Sequence, residues 1–124
     1  MRSASSTLTD QELEIMKIVW ERNSATVRDV YEDLLGRRKI AYTTVMTMMN
    51  ILEQKKHLKK MPVERAYVYQ ATRPKHQVIR AMVQEFVDRV FNGAAEPLLM
   101  HLIDDRRISQ KDLQEIARMI RRNQ

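Results

Sequence analysis

The chain has 124 residues, 22 lysines plus arginines against 16 aspartates plus glutamates, 44% hydrophobic residues, two glycines and no cysteine. That length suits one domain or two small ones, and the missing thiol excludes disulfides, thiolate metal centres and cysteine nucleophiles. Apolar runs stay near three residues, as at Ile18-Val19-Trp20, far below the roughly 20 of a membrane-crossing helix, and Met1 to Ser6 is polar, without the apolar centre of an export signal. A cytoplasmic protein with no membrane insertion is therefore expected.

Thr9 with Glu12 has the spacing of a capping box, and Leu8 with Leu13 that of a hydrophobic staple. A first helix is predicted from there to about Arg22, burying Leu13, Met16, Val19 and Trp20. Thr26 and Asp29 repeat the start signal for a short second helix with Val27, Val30, Tyr31 and Leu34, which Gly36 is expected to stop. A third helix is predicted from about Tyr42 to Lys56, with Val45, Met48, Met49 and Leu52 on its core side. Its other side carries Tyr42, Thr43, Met46, Thr47 and Asn50.

From Leu58 the composition turns strand-like: Leu58 to Met61 and Ala66 to Tyr69 flank a turn at Pro62-Val63-Glu64-Arg65, the pattern of a hairpin. Tyr67 and Tyr69 share one face of that ribbon, which either anchors it to the core or meets a ligand; anchoring is the reading adopted. A fourth helix opens after Thr72-Arg73-Pro74 and runs to Asn92-Gly93 with Val78, Met82, Val83, Phe86, Val87 and Val90 as its stripe. Pro97 begins a fifth, through about Asp105, and Ser109 with Asp112 caps a sixth with Leu113, Ile116, Met119 and Ile120. The fold class expected is mainly α with a small β-hairpin.

The charge is unevenly placed. Between Gly36 and Arg65 there are eight bases (Arg37, Arg38, Lys39, Lys55, Lys56, Lys59, Lys60, Arg65) against two acids, while the remainder carries 14 of each. An excess confined to one 30-residue stretch is the footprint of a polyanion-binding surface, the plain alternative being a solvated basic face. Between Tyr42 and Asn50 the third helix has no carboxylate, and its threonines and asparagine combine donor and acceptor groups suited to base edges or phosphates. Three short helices followed by a basic hairpin is the order of a winged helix-turn-helix, whose third helix enters the major groove and whose hairpin touches the backbone. On these grounds Arg28, Lys39, Tyr42, Thr43, Thr44, Met46, Thr47, Asn50, Lys59, Lys60 and Arg65 are the candidate contacts to double-stranded DNA.

Other chemistry finds little support. A Gly-rich phosphate loop, a recognisable carboxylate pair and a Ser/His/Asp order are missing, so no enzyme and no catalytic residue are expected. His57, His76 and His101 are scattered, and His101 with Asp104 or Asp105 lacks a third ligand, so neither a metal nor a cofactor is expected.

Leu8-Thr9-x-x-Glu12-x-x-x-Met16-x-x-x-Trp20, then Ala41-Tyr42-Thr43-Thr44-Val45-Met46-Thr47-Met48-Met49-Asn50-x-Leu52, then Tyr67-x-Tyr69, resemble the penicillinase repressor (BlaI/MecI) family. The resemblance spans roughly Leu8 to Ile120 and implies a winged-helix DNA-binding domain over residues 1–72 and a helical dimerisation domain over residues 73–124. It further implies a homodimer on a palindromic operator upstream of β-lactamase or related resistance genes, released when a membrane sensor-linked protease cuts the C-terminal helices. The corresponding cleavage position is His101-Leu102, in place of the Asn-Phe pair of the best-known members, so a signal other than β-lactams is the alternative. Ile51 stands where many members carry arginine, and the Cys-rich tail of the copper-responsive branch is missing.

The helices beyond Pro74 carry more apolar surface than they can bury internally, which points to dimerisation through Val83, Phe86, Val87, Val90, Leu98, Leu99, Leu102, Leu113, Ile116 and Ile120. The alternative is that they fold back on the winged domain. A winged-helix scaffold that binds other proteins is the competing function.

Overall fold

The computed structural model describes residues 8–122, with side chains described through residue 119. Its described elements are α1 (Asp10–Arg22), α2 (Val27–Leu35), α3 (Tyr42–Gln54), β1 (Leu58–Val63), β2 (Ala66–Ala71), α4 (Lys75–Phe91), α5 (Glu96–Asp104) and α6 (Gln110–Arg122). This is the mainly helical, hairpin-bearing fold expected from the residues. The chain divides into two compact units between Met82 and Val83, inside α4.

Local capping chemistry sets the helix starts. In α1 the Glu12 amide donates to Thr9 Oγ1 at 3.1 Å and the Thr9 amide to Glu12 Oε1 at 3.0 Å, while Leu8 is buried and Leu13 packs against the same core. Thr26 and Asp29 repeat the reciprocal bonds at 3.0 Å for α2. Ser109 and Asp112 do so at 3.1 Å for α6. Gly36, expected to stop α2, is its C-cap residue, with φ −68°. The stop is a turn in which the amides of Arg37 and Arg38 both donate to the Leu34 carbonyl, at 2.9 and 3.0 Å.

The first unit closes around one apolar core. Ile15, Met16 and Val19 of α1 meet Val30 and Leu34 of α2 and Val45, Met49 and Leu52 of α3, with Leu58 and Tyr69 from the hairpin. Val78 of α4 is buried in this core and Met82 packs against it, so the unit runs on past residue 72. Trp20 is half-buried, and its indole N–H donates to the Arg73 carbonyl at 3.0 Å. Each such side chain removed from water contributes about 1.5–3 kcal/mol before chain entropy is counted.

The hairpin is antiparallel, in register from Leu58↔Ala71 to Val63↔Ala66, with Glu64-Arg65 as its two-residue loop. The turn is thus tighter than Pro62 to Arg65, because Pro62 and Val63 are paired strand residues. Tyr69 exchanges both backbone bonds with Ala25, at 3.0 and 2.8 Å, on the side away from β1. Its pair with Lys60 is consequently of the non-hydrogen-bonded kind, and so, two residues on, is Pro62↔Tyr67. Proline's missing N–H removes no ladder bond there. The bridge at Ala25 was not anticipated, since one residue between two helices has no strand pattern to read.

The second unit contains the remainder of α4 with α5 and α6. Inside it, Phe91 packs edge-on to Phe86 with ring centres 5.9 Å apart and lies 6.0 Å from the His101 ring. Among its described side chains only Val87 is buried.

Candidate nucleic-acid interface

The face of α3 opposite its buried residues follows from helical spacing. With Val45, Met49 and Leu52 inside, positions 43, 47, 50 and 54 form the outermost stripe, and Thr43, Thr47, Asn50 and Gln54 are all exposed. Met46, 38% exposed, flanks the stripe on the side of Asn50 and Glu53, while Thr44 and Ile51 flank the other. Gln54 was not among the residues singled out from the sequence, although it continues the same rhythm one turn past Asn50.

The start of α3 has no side-chain cap; the amides of Thr44 and Val45 both donate to the Ala41 carbonyl, at 3.1 and 3.2 Å. Those of Tyr42 and Thr43 head the helix as first-turn donors, the geometry that favours an anionic oxygen. Tyr42 beside them is held edge-on by Tyr31, ring centres 5.3 Å apart, with the Arg28 guanidinium 5.9 Å from its ring centre. Arg28 also approaches Glu32 at 3.4 Å.

The basic stretch is less free than its composition suggests. Arg38 and Arg37 reach Glu14 of α1, at 2.8 and 3.9 Å, and Lys55 binds both oxygens of the buried Glu12, at 2.9 and 3.0 Å. Burial pushes the Glu12 carboxyl up, but the Thr9 amide and Lys55 outweigh it and hold it below its ordinary value. Lys60, placed among the candidate contacts, turns toward α3: its Nζ lies 3.6 Å from Glu53 and 4.7 Å above the Tyr67 ring. By contrast Lys39, Lys59 and Arg65 are exposed and, among the described residues, make no ion pair. Lys56, just past α3, is also exposed and was counted in the basic stretch but not placed among the candidate contacts.

The two tyrosines of β2 separate in role. Tyr69 is 3% exposed and anchors the hairpin, whereas Tyr67, further toward the loop, is 53% exposed, with the Lys60 ammonium over its ring. The anchoring reading therefore holds for Tyr69 and fails for Tyr67, because the core ends before the ribbon does. The Tyr69 hydroxyl donates to Asn50 Oδ1 at 3.4 Å, tying hairpin to helix.

In the second unit the residues assigned to dimerisation divide by exposure. Val83, Phe86 and Val90 are 50%, 41% and 49% exposed along α4, and Ile116 of α6 is exposed as well. Val87 is buried, and Leu98, Leu99, Leu102 and Leu113 are half-buried. The side chain of Ile120 lies outside the described residues. His101 is exposed and Leu102 half-buried, both within α5.

The penicillinase repressor family profile matches residues 8–122. The transcriptional regulator BlaI of Mycobacterium tuberculosis is 31% identical over 99 residues, covering 78% of this chain and 72% of that protein. The DNA-binding domain of the repressor BlaI superposes with TM-score 0.53 at 26% identity, over 60% of this chain and 90% of that one. Monomeric BlaI of Bacillus licheniformis, solved in complex with the blaP half-operator, superposes with TM-score 0.50 at 28% identity, over 56% of this chain and 84% of that one. With its capped α1, carboxylate-free α3 face and basic hairpin, this chain belongs to the penicillinase repressor family of winged-helix DNA-binding transcriptional repressors.

Proposed function

We propose that this protein is a homodimeric repressor that binds a palindromic double-stranded operator, with one α3 in the major groove of each half-site. The observation that carries the reading is the exposed stripe Thr43, Thr47, Asn50 and Gln54, free of carboxylate, together with the exposed cations Lys39, Lys59 and Arg65, which make no ion pair among the described residues. The Bacillus licheniformis relative, solved in complex with the blaP half-operator, supports operator binding. Dimerisation rests on the exposed stripe of Val83, Phe86 and Val90, spaced three and four residues apart, since so much apolar surface on one helix side favours a covering partner. The family's name points to a β-lactamase or related resistance gene as the target, and action on DNA fits a cytoplasmic protein. Proteolysis near His101-Leu102 would remove the last three residues of α5 and all of α6, and a sensor-linked protease is the partner that fits this release.

Footprinting on the protein's own promoter region, followed by titration at several salt concentrations, tests the proposal. A protected palindrome is expected, with log K falling against log salt by about 0.9 per neutralised phosphate. Lack of protection, or affinity independent of salt, would overturn the DNA reading in favour of a scaffold that binds other proteins.

A further inference from the structure

Tyr69 is fixed from three sides. Its amide donates to the Ala25 carbonyl at 2.8 Å and its carbonyl accepts from the Ala25 amide at 3.0 Å. Its ring is in the core, and its hydroxyl reaches Asn50 Oδ1. Asn50 in turn sits on the outermost stripe of α3, between Thr47 and Gln54, where a residue meets base edges if that helix enters the major groove.

The direction of the Tyr69 to Asn50 bond follows from the chemistry of the two groups. Burial pushes the phenol up, so at neutral pH its oxygen carries a proton. A phenolic oxygen shares its lone pairs with the ring and gives a hydrogen bond more readily than it accepts one. The amide carbonyl of Asn50 is therefore the end turned to the hairpin. Because the two polar atoms of an amide diverge from one carbon, the Nδ2 hydrogens are left for the open side of the helix.

We infer that Tyr69 is a positioning residue that makes Asn50 a donor-only reader, selecting guanine over adenine at one position of each half-site. An asparagine that reads adenine gives a hydrogen bond to N7 and takes one from N6, which needs its carbonyl in the groove. Guanine presents two acceptors, N7 and O6, and suits an amide that offers hydrogens alone. The inference rests on the proposal that α3 reads DNA, and it names what that helix reads.

The test is selection from a pool of random duplexes by the full-length protein and by its Asn50→Ala and Tyr69→Phe variants. Wild type is expected to enrich guanine over adenine by about fivefold or more at one position per half-site, the lower end of discrimination by a base contact. Asn50→Ala should flatten that position alone. Tyr69→Phe, which keeps the ring and frees the carbonyl, should move the same position toward adenine, a change of base identity that mere loosening of the fold does not produce. Adenine at the Asn50-dependent position in wild type, guanine retained there in Tyr69→Phe, or no position altered by Asn50→Ala would each overturn the inference while leaving DNA binding intact. Failure of wild type to enrich any sequence would overturn the DNA reading and the inference together. Should Tyr69→Phe fail to fold, the wild-type base at the Asn50-dependent position still decides the matter.

Discussion

The two compact units differ in how much of their apolar content they bury among the described residues. In the first, Val30, Leu34, Val45, Met49 and Leu52 are sealed between three helices, and the outermost stripe of α3 is left to threonine, asparagine and glutamine. In the second, Val83, Phe86, Val90, Met100 and Met119 stand in solvent, and Val87 is the buried exception among its described side chains. A unit that closes its own core can fold alone and spend its surface on recognition. One that leaves amphipathic faces open has its stability tied to whatever covers them, and hence to concentration. Such a division suits a repressor whose reading head persists while its assembly is switched.

Core truncation should break this contrast most forcefully. Leu34→Ala leaves a cavity in a sealed core and is expected to cost about 2–5 kcal/mol in denaturant unfolding. Val90→Ala removes surface already in water and should cost the isolated fold less than about 0.5 kcal/mol, while weakening self-association in sedimentation. Similar losses of fold stability from both would dissolve the distinction between the units.

Removing the second unit's last helices comes next. If one winged domain holds a half-site at about 10 μM and the dimer presents its second domain at about 1 mM, linkage tightens binding about a hundredfold, or roughly 2.7 kcal/mol. A chain ending at Met100 should therefore sediment as a monomer and lose that factor on a full palindrome, yet keep the cooperative unfolding of the first unit. A truncated chain that remains a dimer with undiminished affinity contradicts release by cleavage near His101.

Smaller effects sharpen the picture of the reading head. Thr9→Ala removes a helix cap and should cost about 1 kcal/mol. Glu12 adds a pH dependence. Its folded-state carboxyl is held below the ordinary value of 4.5, so its contribution is complete above that value and is lost as pH falls through the depressed one. Glu12→Gln should flatten the stability profile in that acid window and nowhere else. On DNA, Arg65→Ala should reduce the salt slope by about one unit. Lys60→Ala should reduce it by less, because binding a phosphate through Lys60 competes with Glu53 and the Tyr67 ring.

What could be read beforehand was local. The capping pairs Thr9/Glu12, Thr26/Asp29 and Ser109/Asp112 span three residues each and mark helix starts without tertiary help. Spacing likewise separates Val45, Met49 and Leu52 from Thr43, Thr47 and Asn50, so the two sides of α3 are legible in the chain. What escaped depends on long-range partners. Lys55 finds Glu12 across 43 positions, Arg38 finds Glu14 across 24, and Tyr69 pairs with an isolated residue at Ala25. Counting charge along 36–65 therefore overstates the free cations, and pattern alone does not separate Tyr67 from Tyr69, because where the core ends along a ribbon is a tertiary fact.

The central claim, that the exposed face of α3 reads sequence, is tested most directly by titrating Thr47→Ala and wild type against the footprinted operator and a random duplex of equal length. The account predicts a loss of about 1–3 kcal/mol on the operator and none on the random duplex, as expected of a base contact. Equal weakening on both would make Thr47 a phosphate anchor, and unchanged affinity on both would remove it from the interface; either result contradicts the claim.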